Sequence, residues 1–235
     1  WDITADAIGP FVTDVDGNVF MDFATHVASA PLGYNNPKIM DKLDEFDLVD
    51  PLTIAGQDFY VAGERADPTA VDFPGPSQLM DVLTERSSRY GLDTVFLSNS
   101  GAEAVENAIK IAYDDRNGAK WAITFDGAFH GRTLGALSLN RSKSVHRRKF
   151  PEISGIHDVP FCRDGSCSTH TCECGFFPDA DGPSELRRRL DPNTGNIHPD
   201  DVAYVILEPV QGEGGFRIPS DAFMREVGAL TTEHD

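Results

Sequence analysis

Three short apolar runs punctuate the chain, Thr94–Leu97, Trp121–Phe125 and Val202–Leu207, and each reads as a buried strand. Between them the period changes. After Ser100, residues Ala104, Val105, Ala108, Ile109 and Ala112 fall on one helical face. Ser100 with Glu103 three positions later is a capping box, so a helix is expected to begin there. Further helices are expected over Pro37–Phe46, with Ile39, Leu43 and Phe46 inward, and over Ser77–Tyr90, with Leu79, Met80, Leu83 and Tyr90 inward and Gly91 as the stop. Two more span Ser184–Leu190 and Asp221–Glu233, the latter capped by Ser220. Upstream, the alternation on either side of Asp16-Gly17 predicts a hairpin over Phe11–Phe23. Ala28–Asn36 reads as a loop, Asp47–Gly75 has no clean period and reads as either a long structured loop or a covering segment, and Arg141–Pro183 is the least regular part. Strands that are continuously apolar and alternate with helices define an α/β domain with a mainly parallel sheet.

Each apolar run ends in an unusual polar loop: SNSGAE after the first, DGAFHGRT after the second, EPVQGEGG after the third. In open α/β sheets ligands bind beyond the carboxyl ends of the strands, so the three loops are expected to meet at one site. The helix starting after Ser100 leaves backbone N–H groups free at Gly101 and Ala102, and with the helix dipole these make an anion site. Taken singly, each motif has an ordinary reading. Phe129 and His130 fit a core aromatic and a satisfied histidine, and Glu208 and Glu213 fit a solvated acidic turn. Three such loops in succession fit one site better.

Charge then narrows the partners. The 235 residues carry 38 acidic against 20 basic side chains, a net charge of −18. That field opposes nucleic acid and anionic membrane. No apolar run approaches the roughly 20 residues of a membrane span, and WDITADAIGP lacks a basic-then-apolar leader. The expected location is cytoplasmic. Aspartates far outnumber lysines along the whole chain, as on the acidic, halophile-like surfaces of proteins that work in concentrated salt. An acidic mesophilic protein is the alternative.

SNSGAEAVENAIKIA, FDGAFHGRTLGALSL and ILEPVQGEGGFRIPSDAFM resemble, in order, three signatures of the class III aminotransferases, which use pyridoxal phosphate. The likeness runs from the hairpin DVDGNVFMDF to the end of the chain. It implies the fold type I architecture: part of a large domain, a mostly parallel sheet with flanking helices, and the N-terminal part of a small domain. The expected division is 1–46 for the small-domain segment and 47–235 for the large domain, with a cysteine-containing insertion at about 155–183. The resemblance also implies roles. Ser100, Gly101 and Ala102 match the phosphate-holding positions, Phe129 the aromatic stacked on the pyridine ring with His130 beside it, and Glu208 the carboxylate close to that ring. Glu213 matches a glutamate that pairs with a distant arginine in one half-reaction and releases it to a substrate carboxylate in the other. Such a removable charge suits an enzyme taking both an amine donor and a dicarboxylate acceptor. The implied reaction is ping-pong transfer from an ω-amino acid to 2-oxoglutarate, in a homodimer. QGEGG resembles the branch acting on 4-aminobutyrate, ornithine, acetylornithine or lysine side-chain amines, and within it FHGRT followed by the SKSVHRRKFPEI stretch, with the PSDAFM ending, favours 4-aminobutyrate over acetylornithine.

One departure matters. The family's Schiff-base lysine and the aspartate that pairs with the pyridine nitrogen follow EPVQGEGG at a distance, and neither motif is present. None of Lys38, Lys42, Lys110, Lys120, Lys143 and Lys149 has a suitable context. The chain therefore reads as the N-terminal part of an aminotransferase, inactive alone without the lysine. The rival reading is a truncated, non-catalytic phosphate- or metal-binding module. Cys162, Cys167, Cys172 and Cys174 stand outside the resemblance, as C-x4-C-x4-C-x-C in a loop that also holds His157 and His170. Four thiolates can hold zinc or an iron–sulfur cluster. The spacing matches no paired C-x2-C pattern, and reduced thiols or a disulfide are the other options.

Overall fold

Alternation about Asp16-Gly17 gives the expected hairpin, β1 (Phe11–Thr13) antiparallel to β2 (Val19–Met21) with Val12 opposite Phe20. Its turn is closed by the Asp14 carboxylate, which accepts from the N–H groups of Asp16 (2.9 Å) and Asn18 (2.8 Å). A single left-handed turn, α1 (Thr25–Ala28), follows. The Asp22 carboxylate holds it, accepting from His26 N–H (2.8 Å) and from the Tyr34 hydroxyl (2.6 Å). Asn36 caps α2 (Pro37–Asp44), and α3 (Pro76–Ser87) runs into a 3-10 turn that stops at left-handed Gly91. The computed structural model describes residues 2, 4–45 and 76–234. Two compact units divide between Val95 and Phe96. Phe46, the expected loop Asp47–Gly75 and the expected 46/47 boundary lie outside the described residues.

The second unit is built on a parallel sheet of order β4-β3-β5. Along the chain come α4 (Gly101–Asp115), β3 (Trp121–Phe125), α5 (Leu134–Ser138), α6 (Ser144–Arg147), β4 (Ile156–Val159), α7 (Glu185–Arg189), β5 (Val202–Val205) and α8 (Asp221–Glu233). Strand β3 is central because it is apolar on both faces. Ile123 and Phe125 point into an aromatic core with Phe161, Phe176 and Phe223, in which the Phe223 ring lies 5.3 Å from that of Phe125 and 4.5 Å from that of Phe176. Phe223, Val227 and Leu230 make α8 the cover of that face. On the other face Tyr113 of α4 meets Tyr204 of β5 edge-on at 5.7 Å. Helices thus flank a parallel sheet on both sides, with the strand ends pointing toward one set of loops.

Three expectations need correction. Thr94–Leu97 forms no strand among the described residues, and Phe96 is 69% exposed. An apolar run shows that a segment can pair, but the pairing needs a free neighbour edge. The inward faces assigned to the helices are shifted or open. Ala104 and Ala108 of α4 are exposed while Glu106, Asn107 and Tyr113 are half-buried, and Leu79, Leu83, Ile39 and Leu43 remain at least 39% exposed. Finally, Arg141–Pro183 is not uniformly irregular. It contains β4, whose polar His157 and Asp158 break the apolar signal at a sheet edge.

Candidate functional site

The start of α4 has the form that its sequence predicts. Ser100 is extended (φ −151°), and its Oγ accepts from Glu103 N–H at 3.2 Å. The N–H groups of Gly101 and Ala102 have no acceptor within the helix. Among the described residues, a Cβ placed on Gly101 would meet nothing within 4 Å.

The loop after β3 is pressed onto this helix end. Gly131 (φ +142°) approaches so closely that an added Cβ would stand 2.8 Å from Ala102 Cβ and 2.9 Å from Ala136 Cβ. Glu106 fixes the same contact from below, accepting from Thr133 Oγ1 at 2.5 Å and from Ala136 N–H at 3.0 Å. Next to Gly131, His130 turns inward and is only 8% exposed. Its N–H donates to Asn140 Oδ1 (2.6 Å), and Asn140 Nδ2 donates back to the Gly131 carbonyl (2.8 Å). The ring Nε2 lies 3.5 Å from Thr124 Oγ1, whose own hydrogen goes to the Leu139 carbonyl. Only the Nε2–H tautomer can use that contact. Burial pushes the His130 pKa down to about 4, so the ring is neutral near neutrality.

Glu208 joins the second loop to the third. One carboxylate oxygen accepts from Phe129 N–H at 2.9 Å and the other from Gly212 N–H at 3.0 Å. Gln211, 1% exposed, donates from Nε2 to the Asp126 carbonyl at 2.8 Å, while its Oε1, buried beside Gly127 and Gly214, has no hydrogen-bond partner among the described residues. Glu213 leaves this clamp toward solvent. Its carboxylate accepts from Lys143 Nζ at 2.5 Å, with His146 Nε2 3.6 Å away, and the Lys143 hydrogen bond holds its pKa below the usual carboxylate range. His146 in turn meets the Phe129 ring edge-on at 5.5 Å. The segment before α4 and the loops after β3 and β5 therefore meet, and Ser100, Gly101, Ala102, Phe129, Glu208 and Glu213 belong to one connected region. His130 supports it from the core side. The groove along β5 between α4 and α8, lined by Ala112, Tyr204 and Leu230 among others, shares no lining residue with these loops.

The profile of aminotransferase class-III matches residues 3–235. The chain belongs to the class III aminotransferases. It is 29% identical to an alanine/serine racemase of Pyrococcus horikoshii, over 96% of the chain and 45% of that protein. It is 30% identical to a probable 4-aminobutyrate aminotransferase of Bacillus subtilis, over 96% of the chain and 48% of that protein. Ornithine and acetylornithine aminotransferases stand at similar identity. An amine transaminase from an uncultivated Pseudomonas species, solved in its PLP-bound form, shares the fold at a TM-score of 0.68 and 22% identity, over 98% of the chain and 49% of that structure. The chain thus spans about half the length of these relatives.

Within this class III chain, sequence reasoning passed over several residues that build the region. Lys143 lies in the SKSVHRRKFPEI stretch, and its ion pair with Glu213 joins positions 70 residues apart. Gln211, Asn140 and Glu106 are polar residues at buried or half-buried positions, and only the tertiary contacts give them work. The four cysteines form a separate cluster, with all four sulfur atoms within 4.8 Å of one another. Neither nearby histidine joins it: His157 packs on Trp121 at 4.9 Å and His170 pairs with Asp181 at 2.8 Å.

Proposed function

We propose that the complete protein transfers the amino group of an ω-amino acid, 4-aminobutyrate first among the candidates, to 2-oxoglutarate with pyridoxal phosphate, and that this chain supplies the phosphate and ring-face half of the site. The observation that carries the reading is the convergence of three loops from three places in the sequence, tied by the Phe129–Glu208–Gly212 bridge and the Gly131–Ala102 contact. The residues present fit that cofactor at two ends. The N-terminus of a 15-residue helix offers a phosphate the N–H groups of Gly101 and Ala102, which have no acceptor within the helix, beside the Ser100 hydroxyl, which now donates to Glu103 Oε2 at 3.2 Å. Phe129, its backbone pinned by Glu208, offers an aromatic face of fixed orientation. When bound, pyridoxal phosphate acts as the electron sink and amino carrier of transamination.

The chain's own residues then have distinct tasks. Ser100, Gly101 and Ala102 bind the anion. Phe129 sets the ring plane, and so which substrate bond stands perpendicular to it. Glu208 holds two loops at fixed separation with both carboxylate oxygens. Glu213, exposed and paired with the exposed head group of Lys143, is free to exchange cationic partners, which suits alternating substrates of different charge. The names of the relatives keep ornithine and acetylornithine as the second reading. A donor panel on the complete protein with cofactor and 2-oxoglutarate tests both. Glutamate formation fastest with 4-aminobutyrate supports the first reading, faster turnover of ornithine or acetylornithine replaces it with the second, and no glutamate from any donor refutes both.

A further inference from the structure

The cysteine cluster is built by the fold, and nothing in the aminotransferase reading uses it. After β4, Phe161 enters the core and carries Cys162 with it, at 1% and 0% exposure. Asp164 then turns the chain back, its side chain accepting from Ser166 N–H (2.8 Å) and its carbonyl from Cys167 N–H (3.0 Å). A second turn, closed by Ser168 N–H on the Thr171 carbonyl at 2.9 Å, returns Cys172 and Cys174. Phe176 and Phe177 re-enter the core. Both ends of the loop are therefore anchored in the same aromatic cluster, and the four sulfurs face one another between the anchors. Cys174 Sγ lies 3.1 Å from Cys172 Sγ and 3.4 Å from Cys167 Sγ, and the whole set fits within 4.8 Å.

That spacing selects among the possible occupants. A tetrahedral zinc with Zn–S bonds of about 2.3 Å sets its thiolates about 3.8 Å apart, in the range of the distances here. An iron–sulfur cluster spreads its cysteines around several irons and inorganic sulfides and needs a wider opening. At the buried end of the cluster, Cys162 Sγ lies 3.5 Å from Ser220 Oγ. Thiols are weak hydrogen-bonding partners, so four of them gathered at one point gain little from each other without a metal.

We propose that Cys162, Cys167, Cys172 and Cys174 bind a single zinc ion in a tetrathiolate site. The ion staples the Cys162–Cys174 loop to the aromatic core and, through Ser220, to the start of α8. The site is structural: four protein ligands close the coordination sphere and leave no position for substrate. It is independent of the aminotransferase reading and of pyridoxal phosphate.

The test is metal analysis of the complete protein grown with added zinc and purified under reducing conditions. One zinc per chain, thiols shielded until a mercurial releases the metal, and a tetrahedral tetrathiolate spectrum on cobalt exchange are the expected results. Cys167→Ser and Cys174→Ser should each lose that spectrum. The wild-type thiol titration and cobalt spectrum decide the question even where a variant fails to fold. Stripping the metal should lower the melting temperature, and an unchanged value would overturn the staple role. Four freely titrating thiols without retained metal, a disulfide within the cluster, or iron with acid-labile sulfide would each overturn the zinc assignment.

Discussion

His130 provides a quantitative test of how the loop after β3 is held. Its ring is buried, 8% exposed, with Thr124 as its only polar contact among the described residues, and burial lowers its pKa from 6.5 to about 4. In the unfolded chain the ring takes up a proton below its ordinary value; in the folded chain it does so only near the depressed value. Stability is therefore complete above pH 6.5 and is lost as pH falls toward 4. The full shift corresponds to about 3 kcal/mol, of which about 2 kcal/mol is lost between about pH 7.5 and about pH 5. His130→Gln keeps a polar side chain but cannot titrate. Urea unfolding of wild type and variant at the two pH values isolates the effect, because the cost of the substitution itself and the contribution of shared carboxylates cancel in the difference of differences. The wild type should lose about 2 kcal/mol more than the variant on acidification. Equal losses would show that His130 is not a buried neutral histidine.

Glu208→Gln replaces one acceptor of the clamp by an amide NH2 facing a backbone N–H, so one of Phe129 and Gly212 loses its partner. A destabilisation of about 1–3 kcal/mol is expected in urea melts, and a change of a few tenths would contradict the clamp. Gly131→Ala drives a methyl into Ala102 and Ala136 at a positive φ, and should cost at least about 1–3 kcal/mol and weaken phosphate binding at the α4 terminus; normal stability with normal phosphate affinity would show that the loop is free to move away. Lys143→Gln should let the Glu213 carboxylate titrate at a higher pH, since Lys143 is the main cause of its lowered pKa, with little change in stability for so exposed a pair. Carbon-13 NMR of labelled glutamate reads the shift, and an unmoved titration would break the pairing. Under the proposed function, Glu213→Ala in the complete protein should damage turnover with 2-oxoglutarate more than cofactor binding; equal loss of both would contradict partner exchange.

What the sequence by itself determined is local. Ser100 and Ser220 before apolar helical periods and Asp16-Gly17 between alternating residues each act within one or two turns of chain, and each cap or turn stands where its residues require. Ordered motifs gave the family, because three loop sequences in succession carry more information than any one of them. Tertiary structure alone decided the pairings. Thr94–Leu97 has the composition of a strand, but composition supplies no neighbouring edge. His157 and Asp158 hide a strand that needs only Ala122–Phe125 beside it. Lys143 finds Glu213, Glu208 spans Phe129 and Gly212, and four cysteines of irregular spacing meet at one point because Phe161, Phe176 and Phe177 pull both ends of their loop into the same core. Such contacts depend on where distant segments are packed, and hydrophobic period and capping chemistry carry no such address.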